Sequence, residues 1–494
     1  MGTLARAWRS FFVLGIGNYG ALVTGLAVNA LITRRLGAAS YGGLALMLMA
    51  SQLLLLLSVN WTHTGFVRFG SQEFGSNGGF ANTLWTRLGV LMPVAAIAVF
   101  AVAFGRQPLA VYLAIPESGV WLILVHFVAV GVLSIVGAVL QATDQMARYG
   151  VCLLLDKVVI LLCLLILPAA WIAAPLSVLA CYAASSLAVA TWGVWVVGVR
   201  ALRPVFPSRS AYRQMVGFSA PLLLSSWAGI FGTHWFDLII LKWYVPMAGI
   251  GVYSLATQLA GVVQQITVVF STLLLPRLSV MVAEGQDARI RTFVERMLPY
   301  WILATSVLFS LGILAARVGV PLVFGQSFGD AAPVMALLMV ATSALALFNS
   351  CAPVVAAYGS TWILTGIVFT SAISNVLLDL ILIPRFGVEG SALATILAYG
   401  ISAVLVLVFV QKAVGGRVLR LVWLGAPVLV ACACYLLLDS AWVYPTAIGA
   451  VSLTVIFLVG GFRLFQEEDA EFLKELRLPL PFGLGVVSAA GRGV

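Results

Sequence analysis

The sequence predicts an all-α integral membrane protein with roughly fourteen transmembrane helices, and three observations carry that expectation. Hydrophobic residues fill 62% of 494 positions and charged residues only 9%, against about 25% charged in a soluble domain. The apolar runs are about 18–25 residues long, the span of a helix across a bilayer and roughly twice that of a barrel strand. The basic residues concentrate in alternate connections between those runs, which is how charge sets topology.

The composition has a direct physical reading. A water-soluble chain of this size needs many charges to cover its surface, and this one lacks them, so lipid is its solvent. In lipid every backbone N–H and C=O must find an internal partner, which leaves helices or closed barrels. A net charge of +10 could suggest a nucleic-acid partner. The basic residues are instead scattered through short connections, so no nucleic acid is expected. Six cysteines (Cys152, Cys163, Cys181, Cys351, Cys432, Cys434) all fall in or beside apolar runs. Their spacing fits neither a disulfide framework nor a metal centre, and no metal or cofactor is expected. Arg6 and Arg9 precede an apolar run that continues to about Ile32. That exceeds the roughly 7–15 residues of a signal-peptide core, so it reads as an uncleaved first span.

In order, the expected spans are Phe11–Ile32, Gly43–Thr64, Leu88–Phe104, Val120–Leu140, Val151–Leu167 and Leu176–Val197, then Pro221–Trp243, Val252–Leu275, Leu298–Ala316, Ala332–Val355, Trp362–Ile383 and Ser391–Val410, and finally Leu421–Leu438 and Thr446–Gly460. Arg6, Arg9, Arg68, Arg87, Arg148, the Arg200–Arg213 stretch, the Arg277–Arg296 stretch and the C-terminal basic residues then share one side. Arg34, Arg35, Arg106, Arg317 and Arg385 lie on the other. The asymmetry places both termini in the cytoplasm. The expected organisation is a six-helix lobe over 1–198, a cytoplasmic linker over 199–215, a second six-helix lobe over 216–411, two additional helices over 412–463 and a cytoplasmic tail over 464–494. Within the tail, Gln466–Leu476 reads as a short amphipathic helix. The other long connection is Pro276–Met297.

Internal repetition is weak. Tyr41 in LGAASYGGL aligns with Tyr253 in AGIGVYSL, and the LLD of Leu154–Asp156 recurs at Leu377–Asp379. Together these suggest two lobes in parallel orientation. Gly37, Gly249, Gly387 and Gly390 sit where one helix must stop and the next begin, a place for backbone conformations that only glycine adopts cheaply.

Five short segments resemble, in order, the polysaccharide transporter family of the multidrug/oligosaccharidyl-lipid/polysaccharide exporter superfamily. They are TRRLGAASYGGL (Thr33–Leu44), TGFVRF (Thr64–Phe69), GIGVYS (Gly249–Ser254), LPRLS (Leu275–Ser279) and NVLLDLILIPRFGVEGSAL (Asn375–Leu393). The resemblance covers about residues 10–410. It implies a flippase of undecaprenyl-diphosphate-linked saccharides in the bacterial cytoplasmic membrane, with two lobes around a central cavity and alternating access. It also implies a role in O-antigen, capsule or exopolysaccharide assembly, with a polysaccharide polymerase as partner.

Ionisable groups inside a span are functional candidates, because each costs about 2.5–3.5 kcal/mol or more to place there. They are His63, His126, the Asp156–Lys157 pair, His234 with Asp237, and Asp379. Helical spacing gives them polar company: Ser226, Thr233 and Asp237; Ser371, Asn375 and Asp379; Ser254, Gln258 and Gln265; Asn18, Gly25 and Asn29. Such stripes either line a cavity or hydrogen-bond neighbouring helices. A diphosphate cargo needs a cation. Lys157, about nine residues in from Arg148, is the first candidate, with Arg68 at the cargo's entry and Asn375 as a further substrate contact. A salt bridge is the alternative for Lys157, and a topology anchor for Arg68. Coupling to H⁺ or Na⁺ points to Asp237 and Asp379, with His234 and Asp156, although Asp379 near a span end could face water.

Two rivals belong to the same superfamily, a lipid II flippase and a cation-coupled drug antiporter. A third is a membrane polysaccharide polymerase or ligase. The chain has no large external loop, and local spacing yields no nucleophile–base pair, so an enzyme is not expected.

Overall fold

The computed structural model describes residues 2–198, 203–231, 234–359, 361–415, 418–438, 443–462 and 464. The regular structure of these residues is helical, with no strand among them. The helices are α1 (Gly2–Ser58), α2 (His63–Asn77), α3 (Ala81–Phe104), α4 (Arg106–Leu113), α5 (Glu117–Ala142), α6 (Met146–Ile166), α7 (Ala169–Ile172), α8 (Pro175–Val197), α9 (Arg209–Phe231), α10 (His234–Tyr244), α11 (Met247–Ala283), α12 (Asp287–Thr292), α13 (Leu298–Phe324), α14 (Ala331–Ala357), α15 (Thr361–Val414), α16 (Ala426–Leu437) and α17 (Val443–Phe462). Eleven segments are long and apolar enough to cross a membrane. Two of these are double. Gly17–Ser58 runs 42 residues and Trp362–Val414 runs 53, about 63 and 80 Å of helix at about 1.5 Å per residue, against a hydrocarbon core of about 30 Å.

Each double helix reverses at a glycine. Gly37 (φ 70°, ψ 173°) divides α1 and Gly387 (φ 57°, ψ −129°) divides α15. A side chain would be strained at either φ, so one residue does the work of a loop. With both arms counted, the described helices provide thirteen crossings. The remaining expected span, Pro221–Trp243, is divided between α9 and α10. Gly249 and Gly390 have a different reason from the expected one. Both are helical, and a methyl group there would collide with Val245 and with the Leu382 carbonyl.

The helices differ from expectation in three further places. The second span is broken between Ser58 and His63 by a 3₁₀ turn over Asn60–Thr62. The third begins at Ala81, so Arg87, read as a connection residue, lies inside α3 and is fully buried. The connection expected over Pro276–Met297 is mostly helix: α11 continues through Pro276 to Ala283, and α12 follows. The expected tail helix Gln466–Leu476 lies outside the described residues.

The chain forms two compact units. The first comprises Met1–Leu259, Arg317–Val334 and Val368–Ala394. Here α1 packs along α6, and α5 along α8. The backbones of Gly17 and Gly150 meet where α1 crosses α6, the small-residue contact that lets membrane helices approach closely. Apolar clusters at Phe66, Leu84 and Val139 and at Leu55, Leu91 and Phe127 fill the gaps between helices. The second unit comprises Ala260–Ala316, Met335–Ile367 and Thr395–Val494. Its core gathers Leu298, Ile302, Val354, Leu407 and Leu424. There Phe270 stacks on Trp301 at 4.0 Å, and the Trp301 indole donates to Ser350 Oγ at 3.1 Å. Outward faces are apolar: Phe104 is 85% exposed and Trp362 86%, as lipid contact requires.

Candidate functional site

The strongest site lies in the first unit, where α10, α11 and the middle of α15 bring Asp237, Tyr253, Asn375, Asp379 and Ser391 together. All five are buried, and Asp379 is 0% exposed, so it does not face water. The Tyr253 hydroxyl donates to Asp237 Oδ2 at 2.6 Å, and Ser391 Oγ donates to the Tyr253 hydroxyl at 3.1 Å. The Asp379 carboxyl faces Asp237 and Ser391. Neither of its oxygens has a hydrogen bond of good geometry, nor do Asp237 Oδ1 and Asn375 Nδ2. Two apposed carboxylates away from water repel each other unless a proton is shared or a cation sits between them. The arrangement therefore suits reversible binding of H⁺ or a monovalent cation between two carboxylates and a hydroxyl. The spacing of Ser371, Asn375 and Asp379 places all three on the buried face of α15 as expected. Of the companions expected for Asp237, the side chain of Ser226 and residue Thr233 lie outside the described residues. His234 is partly exposed, its ring tilted against Trp235 at 4.2 Å.

A second polar cluster joins α1, α5, α6 and α8. Asp156 accepts Lys157 Nζ at 2.9 Å, Ser186 Oγ at 3.0 Å and Ser185 Oγ at 3.2 Å. Lys157 therefore pairs with its own neighbour in sequence, with its side chain 36% exposed and its ammonium 5.9 Å from the Tyr182 ring. His126 bonds Ser51 at 2.8 Å and meets Tyr182 edge-on. Arg68 is exposed, its guanidinium 4.8 Å above the Phe218 ring.

A third group resolves two of the expected stripes. Asn29 Nδ2 donates to Gln258 Oε1 at 2.7 Å, Gln258 Nε2 donates to the Tyr41 hydroxyl at 2.9 Å, and that hydroxyl donates back to Asn29 Oδ1 at 3.4 Å. This closed ring ties both arms of α1 to α11. Asn18 and Gln265 are exposed and take no part in it. Sequence reasoning gave Tyr253, Ser391 and Tyr41, which are uncharged, no part in a site, although Tyr41 and Tyr253 mark the internal repeat. Their only signal for a site is helical spacing next to an acid or amide on a neighbouring span.

Long apolar helices, two of them turning at a glycine, and a buried carboxylate pair mark a polytopic helical membrane protein. The fold is shared with known transporters. It matches a lipid II flippase, MurJ, in an inward closed conformation with TM-score 0.71 at 12% identity, over 94% of this chain and 99% of that one. It matches an inward-facing multidrug resistance MATE family transporter of the MOP superfamily with TM-score 0.64 at 12% identity, over 82% and 98%. The chain belongs to the family described as polysaccharide biosynthesis protein, which it matches over residues 31–333. Among curated relatives it is 21% identical over 215 residues to a Haloferax volcanii protein named "Probable low-salt glycan biosynthesis flippase Agl15". It is 22% identical over 251 residues to an uncharacterized membrane protein of Methanocaldococcus jannaschii, MJ1068. These alignments span 43% and 49% of this chain, and 44% and 49% of the relatives.

Proposed function

We propose that this protein is a flippase that carries undecaprenyl-diphosphate-linked oligosaccharide across the bacterial cytoplasmic membrane by alternating access, serving O-antigen, capsule or exopolysaccharide assembly. The observation that carries this reading is the family match over residues 31–333. A fold shared with a lipid II flippase supports it. In this reading residues 1–198 and 216–411 are two six-helix lobes, both termini are cytoplasmic, and the product passes to a polysaccharide polymerase. Asp237 and Asp379 bind the coupling ion, H⁺ or Na⁺. Lys157 and Arg68 meet the anionic end of the cargo, Asn375 is a further cargo contact, and His234 and Asp156 assist coupling. The test is complementation: expression in a host lacking its own saccharide-lipid flippase restores surface glycan, while inactive variants leave the lipid-linked precursor on the cytoplasmic leaflet. Failure to restore glycan with any lipid-linked substrate, together with gain of drug resistance, would instead establish the drug-antiporter reading, which the MATE-like fold also supports.

A further inference from the structure

Among the described residues Arg87 is the largest fully buried side chain, with 0% exposure. It sits two turns into α3. Its Nε donates to Thr62 Oγ1 at 3.0 Å, and its guanidinium carbon lies 5.2 Å from the centre of the Phe66 ring. Both terminal nitrogens are buried without any hydrogen-bond partner. Among the described residues no carboxylate forms an ion pair with it. A guanidinium offers five donors in a planar fork, and here one is used.

Such a group is costly to seal away from water, and the ordinary explanations do not fit it. A topology anchor reaches for solvent, as Arg68 does on the neighbouring helix. A paired charge has its acid, as Lys157 has Asp156. Arg87 has neither. Its one polar partner, Thr62, stands at the end of the 3₁₀ turn that interrupts the second span. A broken helix beside an intramembrane charge is the usual setting for an anionic substrate group in transporters. His63, the next residue, lies near enough to feel the Arg87 charge. Over both elements that hold Arg87 lies α9. Gly65 of α2 packs against Ser219 and Phe218, and Gly89 of α3 against Tyr212. The two terminal nitrogens of Arg87 thus leave parallel N–H donors unused beside this junction, the fork that takes a phosphate in bidentate fashion.

We propose that Arg87, with Thr62, forms a phosphate-binding site that receives the diphosphate end of the lipid-linked cargo. This rests on the flippase reading. The test uses the full-length protein in phosphatidylcholine nanodiscs, with farnesyl diphosphate and inorganic pyrophosphate as probes and thermal unfolding as the readout. Wild type should be stabilised by farnesyl diphosphate in a saturable way. Arg87→Met should unfold at the same temperature as wild type or higher without ligand, because it removes an unpaired charge, and should lose the ligand response. Arg87→Lys keeps the charge but not the fork, and should bind about ten-fold more weakly or worse. An undiminished response in both variants overturns the proposal. So does a response to phosphatidylglycerol nanodiscs that depends on Arg87 while farnesyl diphosphate gives none, since the site then belongs to membrane headgroups. Glycan complementation by wild type decides the flippase reading separately. Restored glycan with a response indifferent to Arg87 removes this site and leaves that reading standing.

Discussion

Gly42 and Gly251 meet backbone to backbone: a methyl group on Gly42 would collide with the Met247 carbonyl, and one on Gly251 with the Ala38 carbonyl. The contact is reciprocal. The second arm of α1 crosses the start of α11 at this pair. The hydrogen-bonded ring of Asn29, Tyr41 and Gln258 secures the same junction.

The glycine crossing should not tolerate any side chain. Gly42→Ala and Gly251→Ala should each destabilise by about 1–3 kcal/mol, the usual cost of overpacking, read as a lower unfolding temperature in nanodiscs. Gly25→Ala, where nothing lies within 4 Å of the added methyl group, is the control. Equal behaviour of all three would show that the helices separate freely at the crossing.

The carboxylate pair should govern ion dependence. A coupled transporter reconstituted in proteoliposomes should respond about 5–150-fold to an H⁺ or Na⁺ gradient. Asp379→Asn should abolish that response without loss of protein from the membrane. It should also leave the fold as stable as wild type or more so, because an amide ends the repulsion between two carboxylates. A variant still driven by the gradient would remove Asp379 from the coupling site.

Tyr253→Phe separates positioning from binding. It deletes the donor to Asp237 and leaves the packing in place. The expected cost is about 1–3 kcal/mol for a buried acceptor left bare, together with a shift in the cation concentration that half-saturates transport. A change in stability with an unchanged cation response would make Tyr253 purely structural.

Lys157→Ala should abolish surface glycan while the protein stays folded. The partly exposed pair with Asp156 is worth only about 0–1 kcal/mol, so unfolding should barely shift. Asp156→Asn, which keeps the bonds from Ser185 and Ser186 within reach, should be milder. Normal glycan from Lys157→Ala would reduce the pair to a local salt bridge.

Much of the fold was legible because lipid imposes few solutions. Length and apolarity marked the spans, and Gly37 and Gly387 marked the turns. The carboxylates of the site were legible too, since charge inside a span stands out. The rest was hidden by chemistry that resembles background. Arg87 precedes the apolar run that opens at Leu88, so it read as a connection residue, although α3 starts at Ala81 and carries Asn82, Thr83 and Thr86 before it. The break after Ser58 carries no glycine or proline to announce it. The partner of Lys157 was the least expected. Adjacent residues on a helix do not face each other, yet the long lysine stem reaches back to Asp156. Tyr253 stood out only as the match of Tyr41 in the weak repeat, and its hydrogen bond with Ser391 emerged only where α11 and α15 bring the two together.

The single-residue reversals at Gly37 and Gly387 leave nothing for a reporter to grip. A protease site, epitope or fused domain inserted at either point would have to be accommodated by two long helices rather than by a loop. Topology at those two turns is better mapped by single cysteines and impermeant thiol reagents, which ask for one side chain and no extra chain. A silent tag there would report a hairpin too tight to display it, not a segment on the wrong side of the membrane.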